Sequence, residues 1–101
     1  MVSRTINDGA ITETGQSGAL TTSADKVRVA VDCTAITGTL DITVEWSPDG
    51  TNWADASTPD ALAQFTTEGV EFGVFDAKAP FHRLVYTVVT GPVTFKAVTL
   101  Q

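Results

Sequence analysis

Two consecutive segments set the hydrophobic pattern of this chain. In Lys26–Ile36, Val27, Val29, Val31 and Cys33 alternate with Arg28, Ala30 and Asp32; in Thr39–Ser47, Leu40, Ile42, Val44 and Trp46 alternate with Asp41, Thr43 and Glu45. A period of two puts one set on a buried face and the other on a wet one, so both segments predict β-strands. Thr37-Gly38 between them reads as a turn, which predicts that the two strands pair antiparallel. After Ser47, Pro48-Asp49-Gly50 predicts a reversal: proline pre-sets its own φ, aspartate closes an Asx-turn, and glycine accepts positive φ. Thr51-Asn52-Trp53 then begins a return arm, giving a hairpin with a tryptophan on each side.

Further along, Val70, Phe72 and Val74 alternate with Glu71 and Gly73, which predicts another strand. Residues 81–90 are apolar on both faces, as in a strand at the centre of a sheet or beneath a partner. Gly91-Pro92 turns the chain into Val93–Leu100, where Val93, Phe95 and Ala97 lie opposite Lys96. Residues 61–66 fit either a short strand or a single helical turn. Residues 55–60 and 76–80 read as corners, Pro59 being unable to donate to a ladder.

Residues 1–25 are rich in Thr, Ser, Gly and Asn and bury little by themselves. They predict an extended N-terminal arm, with short strands around 10–14 and 19–22 broken by Gly15-Gln16-Ser17-Gly18, ahead of a β-sandwich domain over 26–101. Seven or so short strands divided by turn signals predict an all-β fold, a single antiparallel β-sandwich. Immunoglobulin-like and jelly-roll connectivity are both compatible with that pattern.

Composition narrows the function classes. The chain has 101 residues and a net charge of −6, with six Lys and Arg, too few and too scattered to neutralise a phosphate backbone, which argues against nucleic acid. No basic segment followed by an apolar run opens the sequence, and no apolar run reaches membrane-spanning length. The expectation is therefore a protein made in the cytosol, without an export signal or a membrane partner. Between Arg28 and Lys78 there are only acids; after Asp76 there are only bases. If those regions occupy different edges of the fold, opposite signs orient neighbouring copies; otherwise the acids solvate one face.

Candidate chemistry is sparse. Cys33 is the one cysteine and sits in an apolar run, where it reads as a small buried hydrophobe. His82 is the one histidine, without Cys or carboxylate at metal-ligand spacing, so neither a metal nor another cofactor is expected. No nucleophile motif surrounds either residue, and the chain reads as a non-enzyme. Ser47, Asp49, Asn52 and Asp55 place oxygens close together, yet one acid within the reversal reads as a turn-former, not as a calcium ligand. Trp46 shares its face with Leu40, Ile42 and Val44 and reads as core; Trp53 fits either cross-strand packing or an exposed contact.

The segment SPDGTNW resembles the S-x-D-G-x-T-W hairpin tips of β-rich extracellular and viral proteins, including fibronectin-like modules. Together with GQSGALTTSADKVRVAVDCTAITGTLDITVEWSPDGTNWADA and FDAKAPFHRLVYTV, it makes nearly the whole chain similar to small structural proteins of tailed bacteriophages. That resemblance implies a virion component made in the host bacterial cytoplasm. It points to a head decoration or cement protein on the major capsid protein, often a homotrimer; tail-associated immunoglobulin-like modules have the same build. Under this reading the partner contacts are expected from Arg4, Ile6 and Ile11 in the arm, from Asp49, Asn52 and Trp53 at the hairpin tip, and from Phe81 and Arg83. The rival expectation is a carbohydrate- or receptor-binding module that uses Trp53, Asp49 and Asn52.

Overall fold

A computed structural model describes residues 3–54 and 60–101, the side chains of residues 60, 61 and 63 excepted. Among these residues there are nine strands and no helix: β1 (Ser3–Ile11), β2 (Gly15–Gln16), β3 (Leu20–Thr21), β4 (Lys26–Ile36), β5 (Thr39–Ser47), β6 (Asp60–Phe65), β7 (Gly69–Asp76), β8 (Phe81–Val89) and β9 (Val93–Leu100). They form two antiparallel sheets. Sheet A has the order β1-β9-β4-β7; sheet B has the order β2-β8-β5-β6, with β3 also on β8. The expected all-β sandwich is the fold observed.

The strand order has a simple origin. β1 pairs with β9, β2 and β3 with β8, β4 with β7, and β5 with β6, so the chain folds on itself as one long hairpin with its apex between β5 and β6. Rolling that hairpin lays successive pairs into opposite sheets, where β9 also takes up β4 and β8 takes up β5. Counting β2 and β3 as one interrupted strand, this is jelly-roll connectivity, not the immunoglobulin-like alternative.

Both segments that opened the sequence pattern form strands at the expected bounds, but they do not pair. β4 lies in sheet A and β5 in sheet B. Each carries a full row of apolar side chains, and two such rows bury each other face to face across a sandwich, which side-by-side pairing cannot do. Thr37-Gly38 therefore crosses between sheets, with the Thr37 N–H donating to the Pro92 carbonyl at 3.3 Å. Gly38 has φ of 80°, and a Cβ there would lie 2.0 Å from the Val89 carbonyl oxygen and 2.5 Å from that of Thr90. Only glycine fits this crossing.

Between the sheets, Val27, Val29, Val31 and Cys33 of β4 and Val93, Phe95 and Ala97 of β9 meet Leu40, Ile42, Val44 and Trp46 of β5, Leu84 of β8 and Phe65 of β6. Cys33 is buried as expected, and burial pushes its thiol pKa up. Of residues 61–66, all but Thr66 are strand, since β6 pairs along β5 from Leu40 to Val44. At the hairpin tip the return arm is not a strand. β5 ends at Ser47, residues 48–54 form a compact loop closed by Ala54 N–H to Trp46 O at 3.0 Å, and of the corner expected at 55–60 only Asp60, the first residue of β6, lies within the described residues.

The N-terminal segment differs from the expected arm. Ser3–Ile11 is a strand hydrogen-bonded along β9, with one bulge between Thr5 and Asn7, and β2 and β3 line the edge of sheet B. Ile6 and Ile11 pack against the core. Ser17 N–H donates to Leu84 O at 2.9 Å, Thr22 N–H to Pro80 O at 2.8 Å, and Asn7 Nδ2 to Phe95 O at 2.9 Å. A poverty of large apolar side chains hides this role because a ladder is made by backbone groups that every residue except proline supplies in full.

His82 is fully buried beside the Trp46 ring, with centroids 5.8 Å apart. Its Nδ1 lies 2.9 Å from Thr22 Oγ1, while Nε2 has no hydrogen-bond partner among the described residues. Burial disfavours the imidazolium and lowers the pKa.

Two outcomes follow for stability. Gly38→Ala is expected to cost about 2 kcal/mol or more, through backbone strain and collision with the two carbonyls. In a domain of this size that lowers the melting temperature by roughly 10 °C, measurable by calorimetry. Because the folded pKa of His82 is below its unfolded value near 6.5, the unfolded chain binds the proton first as pH falls. Stability is then fully present above about pH 6.5 and declines below it, by no more than about 1.4 kcal/mol per pH unit from this group. Denaturant midpoints of wild type and His82→Gln compared from pH 7.5 to 5 should show the steeper fall in the wild type.

Candidate functional site

The hairpin tip is built inward on itself. Ser47 Oγ accepts the N–H of Gly50 at 2.8 Å and donates to the Asn52 carbonyl at 2.7 Å. Asp49 Oδ1 accepts the N–H groups of Thr51 and Asn52, both at 2.8 Å, and Oδ2 accepts Asn52 Nδ2 at 2.6 Å. These donors stabilise the carboxylate and hold Asp49 well below the usual carboxylate range, the backbone N–H of Asn52 contributing most. The side-chain oxygens of Asp49 and the amide of Asn52 are thus engaged in the turn they form.

Behind the tip, Trp53 covers Arg83, whose guanidinium carbon lies 4.2 Å from the ring centroid. Arg83 donates from Nε at 2.8 Å and from Nη2 at 2.7 Å to Glu45 Oε1. The pair is directly opposed between β5 and β8, and both side chains are mostly buried. Phe81 is half-buried, and a Cβ added at Gly50 would come within 3.5 Å of its ring. So five of the expected contact residues, Asp49, Asn52, Trp53, Phe81 and Arg83, gather on the outer side of sheet B. Asp49 and Asn52 hydrogen-bond each other, and Arg83 hydrogen-bonds Glu45. The other three lie on β1 in sheet A: Ile6 and Ile11 against the core, Arg4 exposed beside a hollow of about 140 Å³ that Ile6 and residues 17–20 also line.

The surface that stands out is one the residue pattern did not single out. On the outer face of sheet A, β7 presents Val70, Phe72 and Val74 at 54%, 75% and 58% exposure. Directly opposite them on β4 are Asp32, Ala30 and Arg28, followed on β9 by Lys96, Val98 and Leu100. Small Ala30 between Phe72 and Val98 leaves a shallow trough of about 180 Å³ whose rim includes Asp32 and Lys96. Beyond β7 no strand pairs with its outer edge among the described residues.

Why the Val/Phe/Val row faces out is visible in its alternate row. Gly69, Glu71, Gly73 and Phe75 oppose the inward side chains of β4. A Cβ at Gly73 would lie 2.2 Å from Leu62 Cδ1 and 3.0 Å from the Phe75 ring, so at this position of the row Leu62 of β6 and Phe75 already occupy the space a side chain would take. Gly73 in the middle of the strand was the available signal. Alternation alone identifies a strand and leaves open which row is buried.

Among the described residues no three His, Cys, Asp or Glu are grouped to hold a metal ion, and no helix is long and apolar enough to cross a membrane. No protein-family model and no curated protein matches the chain.

Asp49→Ala should release the N–H groups of Thr51 and Asn52 and speed their hydrogen exchange several-fold, while exchange in β4 and β9 stays unchanged. In the wild type the same protection should survive acidification through the usual carboxylate range near pH 4. It should be lost only at lower pH, because the folded pKa is depressed.

Proposed function

We propose that this protein is a structural component of a tailed-phage particle, a head decoration or cement protein that binds the outer capsid lattice and stabilises it through protein–protein contacts. The observation that carries this reading is the exposed apolar row Val70, Phe72 and Val74, mounted on a sandwich with a fully packed core. Soluble domains seldom leave adjacent large side chains this open unless another protein covers them.

The segments that carry the resemblance support the same reading. VEWSPDGTNW and DAKAPFHR fold against each other: Glu45 pairs with Arg83, Trp46 packs on His82, Lys78 Nζ lies 5.8 Å from the Trp46 ring centroid, and Gly50 lies beside Phe81. They form one end of the molecule in mutual contact. With residues 3–21 built into the sheets, the surface offered to the shell is the outer face of sheet A and not a free arm. Repetition over a lattice lets many modest contacts of this kind act together.

The test is to mix the purified protein, in excess over lattice sites, with expanded, undecorated heads of the phage that carries it and to image them. Added density on the shell is expected, with occupancy strongly reduced by Phe72→Asp in a protein that still folds. Bare shells with the wild-type protein would reject the reading.

A further inference from the structure

The open edge of β7 has a property that its exposure alone does not reveal, since the strand is complementary to itself. We infer that a second copy of this chain adds to this edge by antiparallel pairing about a two-fold axis at Phe72, joining two A sheets into one continuous sheet. The inference goes beyond the proposed function and does not depend on it.

In an antiparallel pair, directly opposed residues share a face of the sheet. With the axis at Phe72, Phe72 meets Phe72 of the second copy, Val70 meets its Val74, and Val74 meets its Val70. The outward row becomes an unbroken apolar stripe. On the other face Glu71 meets Gly73, so no carboxylate opposes another within the strand. The neighbouring two-fold registers set charges against apolar residues or against each other. An axis at Val70 sets Phe72 against Glu68, and one at Val74 sets Phe72 against Asp76. An axis at Glu71 opposes two carboxylates, and one at Gly73 sets Val70 against Asp76. In the favoured register Glu68 comes opposite Asp76 at the rim, where Asp76 is already paired with Lys26 Nζ of its own chain. That pairing moderates the repulsion.

The remaining edges carry the devices that block such addition. β1 has a bulge between Thr5 and Asn7 and bears Arg4 and Asp8. β6 is short, and its pairing with β5 is broken by a register shift. β2 and β3 are two residues each. By contrast β7 runs along β4 through eight consecutive residue pairs without a shift, and it contains no proline, lysine or arginine. A long, regular edge that is unpaired among the described residues and has an apolar outward row invites a strand, and its mid-strand charge, Glu71, meets only Gly73 in this register. Pairing of this kind is two-fold, so the smallest assembly is a dimer in place of the trimer that the resemblance implies.

Single-cysteine variants read the register directly. Opposed Cα atoms across such a pair lie about 4.5–5.5 Å apart, within disulfide reach, and buried Cys33 does not compete. Under mild oxidation Phe72→Cys is expected to form a disulfide-linked dimer by itself. Val70→Cys and Val74→Cys should each form no disulfide-linked dimer alone and should cross-link when mixed. Sedimentation of the wild type should show a concentration-dependent dimer, weakened about tenfold or more by Phe72→Glu, which places two carboxylates at the axis. A wild-type chain that remains monomeric at concentrations on the order of millimolar overturns the inference. So does self-linking of Val70→Cys as readily as Phe72→Cys. If the wild type is itself monomeric and Phe72→Glu still loses shell binding, the row belongs to the capsid contact, which ends the dimer and leaves the proposed function intact.

Discussion

The fold rests on one contact, the apolar row of β4 laid face to face against the apolar row of β5. Val27, Val29, Val31 and Cys33 on one side and Leu40, Ile42, Val44 and Trp46 on the other are all buried. Each large side chain so buried contributes about 2 kcal/mol, against about 0–1 kcal/mol for an exposed ion pair such as Lys26 with Asp76. Burial of these rows therefore decides the topology. Two strands joined by a two-residue link are forced into different sheets, and the link must then be a glycine in the left-handed region.

Once β4 and β5 oppose each other, the remainder of the chain closes as a rolled hairpin, and this rearranges the charges. Acids crowd the middle of the sequence and bases its end, which on a linear reading suggests two oppositely charged edges. In the fold the first half of the chain lies against the second, so Asp32 faces Lys96, Glu45 holds Arg83, and Lys26 holds Asp76. Segregation along the chain becomes neutralisation across strands. What remains exposed along β7 on the outer face of sheet A is apolar, on a strand whose outer edge pairs with no other among the described residues.

The tip between β5 and β6 shows how a motif can be structural in substance. Ser47, Asp49 and Asn52 satisfy each other and the loop backbone, and Trp53 closes over a buried ion pair. Polar residues and a tryptophan close together in sequence have the composition of a binding site. Their geometry here is that of a cap holding the apex of the long hairpin.

Strand identity was legible in the residues themselves. The bounds of β4 and β5, the burial of Cys33 and Trp46, and the turn at Asp49-Gly50 all follow from period-two alternation and the φ preferences of a few residues, which are local properties. Pairing was not legible, because a turn such as Thr37-Gly38 is compatible with staying in a sheet or leaving it. The place of residues 3–21 was hidden as well, since backbone hydrogen bonds with β8 and β9 leave no mark in side-chain composition. Nor could alternation in β7 say which row is inside. Leu62 from β6 and Phe75 fill the space beside Gly73 on the inner side, while Val70, Phe72 and Val74 lie on the outer one. The amino-acid order by itself determined where strands form and which have a greasy side; the tertiary structure alone decided which strands meet and which greasy side is left over, because both depend on the competition among distant segments for one interior.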